Sequence, residues 1–218
     1  MSLTNSMRKH KTLDGFLQAH KTKNGLSPTH TRIGGDTAKG GSYAIPFEEM
    51  DHFWKLYYQK VFVNMTPEHL TELQYKLGND HTGPVLVDLD FRYEPTVTKR
   101  QHKKSLLSDL VYKFSEVLAN IFNFQCDDTF KIYVMQKKKV NVTDAVTKDG
   151  IHLVITIKMD HALQTILRNK MLDPLEKVVG ELPLINPVNE VYDEHISSGK
   201  TGWQIYGSRK PIKGGIKY

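Results

Sequence analysis

Two aspartates two residues apart, Asp88 and Asp90, are the residues whose types and spacing most directly suggest chemistry. They follow a proline and the apolar run Val85–Val87, a pattern that predicts a strand entering a sheet. Because side chains alternate along a strand, both carboxylates should leave one face while Leu89 packs on the other. Two close and poorly hydrated carboxylates repel each other, and a divalent cation such as Mg²⁺ relieves both costs. The pair therefore predicts a metal site.

Three alternate residues, Lys148, Gly150 and His152, run into a second predicted strand, Leu153–Ile157. Because they alternate, they should share one face and form a cationic edge. Gly150 would let a phosphate approach the backbone closely, while Lys148 and His152 would donate to its oxygens. A buried, hydrogen-bonded histidine with a purely structural role is the alternative interpretation of His152.

A third carboxylate, Asp193, follows an apolar lead-in, Val191–Tyr192, that is similar to the one before Asp88. It could complete a set of three carboxylates, the oxygen-rich environment that hard cations prefer. Glu190 and Glu194 are neighbouring carboxylates that are equally available. The residues alone therefore leave the identity of a third ligand open.

The segment Gly207–Lys210 ends a short aromatic strand and combines backbone amides, a hydroxyl and two cations. The hydroxyl belongs to Ser208, and the cations are Arg209 and Lys210. Such a loop suits a triphosphate or a nucleic-acid backbone. A plain basic turn is the alternative interpretation.

Interleaved helices and strands must position these residues. Apolar spacing predicts a hairpin of Thr29–Ile33 and Ser42–Pro46, helices over 47–63, 66–77, 106–121 and 161–171, and strands over 85–93, 130–135 and 153–157. The glycines of the hairpin tip are not a phosphate loop, since no Gly-Lys-Ser/Thr follows them. The interleaving predicts an α/β or α+β fold around one sheet.

Composition narrows the class of protein. The 218 residues, 39% hydrophobic and 25% charged, fit a soluble globular domain. The basic N-terminus contains one short amphipathic segment with the apolar residues Leu13, Phe16 and Leu17. No apolar run approaches the ~20 residues of a membrane helix, and no secretory signal is present. The single cysteine, Cys126, excludes an internal disulfide and a four-cysteine zinc site, as expected of the reducing interior of a cell. A formal charge of +6 favours an anionic partner such as nucleic acid or nucleotides.

Taken together, the motifs and their order resemble those of the archaeo-eukaryotic primase superfamily. An Asp-x-Asp on one strand, a Gly-x-His opening another, and an apolar-Asp step before a basic strand occur in that order. The chain is most similar to the primase portion of the primase–helicase proteins of nucleocytoplasmic large DNA viruses, over residues 12–218. The segments that carry the resemblance are Thr29-His-Thr31, Gly40-Gly-Ser-Tyr43, Gly83–Tyr93, Lys148–His152 and Trp203–Pro211.

The resemblance implies a fold and a domain organisation. The fold would be α+β, with a central, mostly antiparallel, RRM-like sheet that carries the carboxylates, helices that flank it, and an N-terminal helix and hairpin as an appendage. Residues 1–23 would form a basic tail with a short helix. Residues 24–218 would form the primase/polymerase catalytic domain, a fragment of a longer primase–helicase.

The resemblance also implies roles for individual residues. Asp88, Asp90 and Asp193 would hold two divalent ions, Mg²⁺ or Mn²⁺, and would be catalytic together with His152, which contacts the phosphates of the incoming nucleotide. Many members have serine at the position of Gly150, so this chain lacks one hydroxyl donor there, and backbone amides could replace it. The nucleotide-binding residues that the resemblance implies are Lys148, Gly150, His152, Ser208, Arg209, Lys210 and Arg92.

The implied activity is template-directed nucleotidyl transfer from NTPs or dNTPs on single-stranded DNA by a two-metal mechanism, in viral DNA replication. The implied partners are the template, the nucleoside triphosphates and a helicase domain of the same longer chain, without a membrane, at a replication site in the host cytoplasm rather than the nucleus. The basic stretches Lys99–Lys104 and Lys137–Lys139 are candidates for template contacts that depend on charge alone. The alternatives are another Asp-x-Asp metal enzyme, such as a nuclease or a glycosyltransferase, and a single-stranded nucleic-acid-binding module without activity.

Overall fold

A computed structural model describes residues 10–23, 26–74, 82–125 and 129–211. The chain forms two compact units, of which the first comprises Met1–Gln74 and Gly202–Tyr218, and the second comprises Tyr75–Thr201. The first unit is therefore discontinuous in sequence. Residues on both sides of residue 23 fall within this first unit.

The helices and strands follow one another in this order. Before residue 75 they are helix α1 (Leu13–Ala19), strands β1 (His30–Arg32) and β2 (Gly41–Tyr43), helix α2 (Met50–Tyr58) and strand β3 (Leu70–Glu72). Between residues 82 and 201 they are strand β4 (Gly83–Tyr93), helix α3 (Lys104–Ile121), strands β5 (Ile132–Gln136), β6 (Asn141–Val142) and β7 (Thr147–Met159), and helices α4 (His161–Val179), α5 (Val188–Val191) and α6 (Glu194–Ser197). Strand β8 (Trp203–Gln204) follows. The helix predicted over 47–63 is confirmed as a 3₁₀ turn, α2 and a π-helical stretch in succession.

The first unit is built on an antiparallel sheet with the strand order β2-β1-β3-β8. Strands β1 and β2 are the two arms of the predicted hairpin, which is confirmed. The apolar residues of α1, Leu13, Phe16 and Leu17, have the i, i+3, i+4 spacing of one helix face. All three are buried in a core that also contains Phe53 of α2 and Leu70 of β3. The short N-terminal helix is thus part of the core of this unit.

The helix predicted from Thr66 is wrong, because this segment forms strand β3. The backbone of β3 pairs with β1 on one side and with β8 on the other. Leu70 is fully buried, and the hydroxyls of Thr71 and Thr31 lie 2.7 Å apart across the strands. Pairing on both edges outweighs the local helix-start signal of Thr66 followed by proline. Residues 75–77 of the predicted helix lie outside the described residues.

The second unit is built on an antiparallel sheet with the strand order β4-β7-β5, and β6 pairs with the first residues of β7. One face of this sheet packs against α3 and α4. Leu89 of β4 and Leu153 of β7 are fully buried there with Phe114 of α3 and Leu167 of α4. The opposite face is left for the polar side chains of β4 and β7.

Helix α4 is longer than the predicted 161–171. It continues to Val179 with Pro174 inside it. Its buried stripe also continues, through Leu175 and Val179. Burial of these apolar side chains against the sheet offsets the hydrogen bond that the proline cannot donate.

The predicted α+β class is confirmed, since every pairing among the described strands is antiparallel and helices flank the sheets. The described residues form two antiparallel sheets, one in each unit. In the same described ranges, no helix has both the length and the apolar composition that crossing a membrane requires.

Candidate active site

The two predicted motif strands, β4 and β7, are neighbours in the sheet of the second unit. Leu89, Phe91 and Tyr93 are buried on the helix-covered face, and the polar residues between them lie on the opposite face. The register pairs Asp88 with His152, Asp90 with Gly150, and Arg92 with Lys148. Because directly opposite residues in a sheet share a face, the structure brings these six residues of the two motifs together.

Asp88 lies beside the histidine. Its Oδ1 atom is 3.2 Å from Nε2 of His152, and the His152 side chain is buried. The two atoms are close but are not aligned as a hydrogen bond, and among the described residues this Oδ1 has no hydrogen-bond partner although it is buried. A buried acceptor without a partner is costly, so this atom is suited to a cation.

Asp90 is more open to solvent, with a side chain 38% exposed. Its Oδ1 lies 4.0 Å from Nζ of Lys137, which directly follows strand β5. From its sequence, Lys137 was predicted only as one of three lysines that could contact a template. The structure instead puts this lysine beside the carboxylate pair.

The outer edge of β4, away from β7, is covered by the segment that precedes Asp193. Asn186 accepts from the Arg92 N–H at 2.9 Å and donates to the Asp90 carbonyl at 3.0 Å. Ile185 N–H donates to the Arg92 carbonyl at 2.9 Å. These bonds satisfy backbone groups that an edge strand would leave open. The role of Asn186 could not be predicted, since nothing in its local sequence pattern indicates a partner almost a hundred residues earlier.

Asp193 continues this edge. Its N–H donates to the Asp88 carbonyl at 3.0 Å, next to an antiparallel bridge between Leu89 and Tyr192. Its carboxylate accepts from the His195 N–H at 2.7 Å and thereby caps the short helix α6. The backbones of Asp193 and Asp88 are thus adjacent. No group of three or more His, Cys, Asp and Glu side chains within the described residues has the arrangement of a metal site, so the three-carboxylate set stays a prediction.

Arg92, a predicted phosphate ligand, pairs with one of the alternative carboxylates. Its Nη1 donates to Oε2 of Glu190 at 2.7 Å, and both side chains are largely exposed. The exposed pair leaves the guanidinium in contact with solvent, where it can exchange partners at little cost. Lys148, its neighbour across the strands, is exposed.

A buried ion pair lies on the other face of β7, behind the site. Asp149 is fully buried and accepts two bonds from Arg100, from Nε at 2.9 Å and from Nη2 at 3.1 Å. Burial lowers the pKa of the neighbouring His102 imidazole, an effect that the Asp149 carboxylate opposes and Arg100 reinforces. The Arg100 guanidinium also donates to the carbonyl of Lys137. Arg100 lies in the stretch that was predicted to contact template, and its guanidinium donates to groups within the second unit.

The basic loop Gly207–Lys210 belongs to the first unit. Ser208 is fully buried, with its hydroxyl 2.9 Å from the Tyr57 hydroxyl and accepting from the Leu70 N–H at 3.0 Å. The Arg209 carbonyl accepts from Nδ1 of His69 at 2.6 Å. Lys210 is exposed and the Arg209 side chain is partly exposed. The loop therefore presents its cations to solvent while the serine hydroxyl holds its backbone in place.

A second buried carboxylate, Glu68, supports this loop. Its side chain accepts from Arg32 at 2.9 and 2.8 Å and from Lys60 at 3.1 Å, and its carbonyl accepts from the Arg209 N–H. Asp14 bonds to the same two cations. Partial burial alone would raise the pKa of Asp14, but the hydrogen bonds from Lys60 and Arg32 outweigh it and lower the pKa. This network could not be predicted from the sequence, because its members are far apart along the chain.

Comparison with known proteins identifies the family of the chain. Residues 29–218 match the family described as the C962R protein N-terminal AEP domain, where AEP stands for archaeo-eukaryotic primase. The chain belongs to this family. The resemblance to archaeo-eukaryotic primases that the motifs indicated is thereby confirmed.

A curated relative and a solved structure are also similar to the chain. The "Putative helicase L207/L206" of Acanthamoeba polyphaga mimivirus is 28% identical over 215 residues, which cover 94% of this chain and 21% of that protein. The chain thus spans about a fifth of the length of this relative. The polymerase domain of Mycobacterium tuberculosis ligase D, in complex with DNA, aligns with a TM-score of 0.39 at 12% identity, covering 88% of this chain and 63% of that one.

Proposed function

We propose that this domain is a primase-polymerase that extends or starts a nucleic-acid strand on a single-stranded DNA template, with nucleoside triphosphates as substrates. The observation that carries the proposal is the register of β4 and β7. It sets Asp88 beside His152 and Asp90 opposite Gly150 on the sheet face away from the helices. Membership of the AEP family supports the same reaction class.

Asp88 and Asp90 would hold the divalent ions, Mg²⁺ or Mn²⁺, with Asp193 as the third carboxylate. The residues fit such ions, because carboxylate oxygens are the donors that hard cations prefer and the buried Oδ1 of Asp88 has no hydrogen-bond partner among the described residues. When bound, the ions would make the attacking hydroxyl more acidic and neutralise charge on the reacting phosphates.

The reaction is a displacement at phosphorus. The 3′-hydroxyl of the growing strand loses its proton to water as its oxygen forms a bond to the α-phosphorus. The bond from that phosphorus to the oxygen that bridges it to the β-phosphorus breaks, and pyrophosphate leaves with the bridging oxygen. His152 and Lys148 would donate to phosphate oxygens, and the backbone at Gly150 allows a phosphate to approach closely. Ser208, Arg209 and Lys210 are proposed to serve nucleotide binding, the serine by fixing the backbone that carries the two cations. His152 and Lys148 would stabilise charge that develops in the transition state.

The partners follow from the same reasoning. A template strand would be attracted by the excess of positive charge, +6 over the whole chain. We propose a helicase domain in the same longer polypeptide, since the mimivirus relative has helicase in its name and is about five times as long as the matched region. Viral DNA replication in the host cytoplasm is the proposed setting.

The test is incorporation of labelled nucleotide on a primed and an unprimed single-stranded template with Mn²⁺. The Asp88→Ala variant should lose at least about a hundredfold in rate, since even partners of metal ligands contribute ten- to a hundredfold. Asp109→Ala, which removes an exposed carboxylate on α3, is the matched control and should keep wild-type activity.

Each alternative function gives a different outcome in the same assay. A nuclease would shorten the labelled strand without incorporating nucleotide. A binding module would retain the template with equal affinity in wild type and Asp90→Ala and would make no product. Either outcome would overturn the proposed primase-polymerase activity.

A further inference from the structure

Lys137 differs from the two lysines that follow it. Its side chain is only 13% exposed and its Nζ lies 4.0 Å from Oδ1 of Asp90, whereas Lys138 and Lys139 are exposed. Holding a lysine side chain in one position costs conformational entropy, because its rotatable bonds are fixed. The inward position of Lys137 is therefore a specific feature of the site and not a general property of a basic stretch.

The sheet explains how this lysine reaches across β7 to a carboxylate on β4. Gln136 and Ile151 form the last pair of β5 with β7. The next residue after Gln136 is Lys137 and the residue before Ile151 is Gly150, so the antiparallel register continues with Lys137 beside Gly150. Gly150 is in turn opposite Asp90. Lys137, Gly150 and Asp90 thus lie in one row across three strands. Since glycine has no side chain, the lysine can pass over it to the carboxylate.

The backbone of Lys137 is fixed from the other face of the sheet. Its carbonyl accepts from Arg100, which is held by two bonds to the fully buried Asp149. Asp149 is the residue directly before Gly150, and its Oδ1 accepts from the Gly150 N–H at 3.0 Å. One buried ion pair therefore anchors both the lysine and the glycine over which it passes.

We propose that Lys137 is the counter-ion of Asp90 when no divalent cation is bound, and that it becomes a ligand of the triphosphate when a metal–nucleotide complex enters. The inference rests on the proposed function. A cation beside Asp90 competes with a divalent ion for the same oxygen, and the same cation attracts an arriving triphosphate.

The variant Lys137→Met keeps a long side chain but removes the charge. It should raise the affinity for Mn²⁺ and lower the affinity for the nucleotide. Mn²⁺ should bind the nucleotide-free variant roughly tenfold more tightly than wild type, which follows from loss of a charge pair at this distance in a partly exposed site. A non-hydrolysable nucleoside triphosphate with Mn²⁺ should bind roughly tenfold more weakly. Free Mn²⁺ is measured by electron paramagnetic resonance and nucleotide binding by calorimetry.

Two further variants complete the experiment. Lys138→Met removes an exposed neighbouring charge and should change neither affinity by more than about twofold. Gly150→Ser places a side chain between Lys137 and Asp90, so it should raise the Mn²⁺ affinity of the nucleotide-free protein as Lys137→Met does. Circular dichroism checks that each variant is folded.

The outcomes separate the inference from the proposed function. A wild-type protein that binds no Mn²⁺ would overturn the proposed metal site itself. If wild type binds Mn²⁺ and Lys137→Met has the same Mn²⁺ affinity as Lys138→Met, the counter-ion role is refuted. If Lys137→Met binds Mn²⁺ more tightly than wild type but binds the triphosphate with unchanged affinity, the role of Lys137 as a triphosphate ligand is refuted.

Discussion

The buried pair of Arg100 and Asp149 should contribute far more to stability than the exposed pair of Arg92 and Glu190. Both pairs join an arginine to a carboxylate at 2.7–2.9 Å. In the first pair the carboxylate is fully buried and the arginine side chain is 28% exposed, whereas the side chains of the second are 39% and 50% exposed. The variants Arg100→Met and Arg92→Met therefore test the effect of burial with the same substitution.

The loss in the free energy of unfolding follows from the Asp149 carboxylate, which stays buried in Arg100→Met. Removing one partner of a buried ion pair costs about 3–5 kcal/mol, because the remaining charge is buried without compensation. Asp149 would keep the hydrogen bond from the Gly150 N–H at 3.0 Å, so we expect the lower end, about 3 kcal/mol. For a chain of this size that corresponds to a fall in Tm of roughly 6–12 °C. Arg92→Met should cost less than about 1 kcal/mol.

The assay is urea unfolding at pH 7 of wild type, both single variants, Asp149→Asn and the double variant Arg100→Met/Asp149→Asn. The double variant has no buried charge without a partner, so it should be destabilised by at least about 1 kcal/mol less than the sum of its single changes. If Arg100→Met costs no more than Arg92→Met, or if the two changes at the buried pair are additive, the reasoning from burial is refuted.

Two further predictions concern the first unit. Burial lowers the pKa of His30 from 6.5 to about 4, so the folded state binds fewer protons than the unfolded state between these values and stability must fall as the pH falls through this window. Between pH 7.5 and pH 4.5 this histidine should lower the free energy of unfolding by about 2.5 kcal/mol. The urea midpoint of His30→Phe should therefore depend less on pH than that of wild type, and an equal dependence would contradict the prediction. Gly207 has a φ of 88°, and a Cβ there would lie 2.7 Å from Cζ of Phe62, so Gly207→Ala should lower the free energy of unfolding by about 2–4 kcal/mol. Gly15→Ala, within α1, is the control in the same denaturation assay and should change stability by less than about 1 kcal/mol; equal effects of the two substitutions would argue against strain at Gly207.

Features that depend on local pattern could be predicted from the sequence. The alternation around Asp88 and Asp90 indicated a strand with both carboxylates on one face, and β4 has this arrangement. The apolar period after residue 104 indicated a long helix, which is α3. In both cases the residues that determine the element lie within the element itself.

Features that depend on distant partners could not be predicted in this way. Thr66 followed by proline starts a helix in many contexts, but here the strands on both sides of Leu70–Glu72 impose an extended backbone. Arg100 was assigned to a surface stretch because its partner, Asp149, is 49 residues away. Ser208 was predicted to contact a ligand, and its hydroxyl is engaged with Tyr57 and Leu70 inside the first unit.

The discontinuity of the first unit has a consequence for the order in which the protein folds during synthesis. Strand β8 completes the sheet by pairing with β3, although more than a hundred residues are translated between these two strands. The continuous second unit can therefore fold on the ribosome before β8 has been synthesised and can pair with the edge of β3. Throughout that interval the nascent chain carries an open strand edge, which is a template for pairing with other chains. Slower translation between residues 75 and 201 would prolong this exposure.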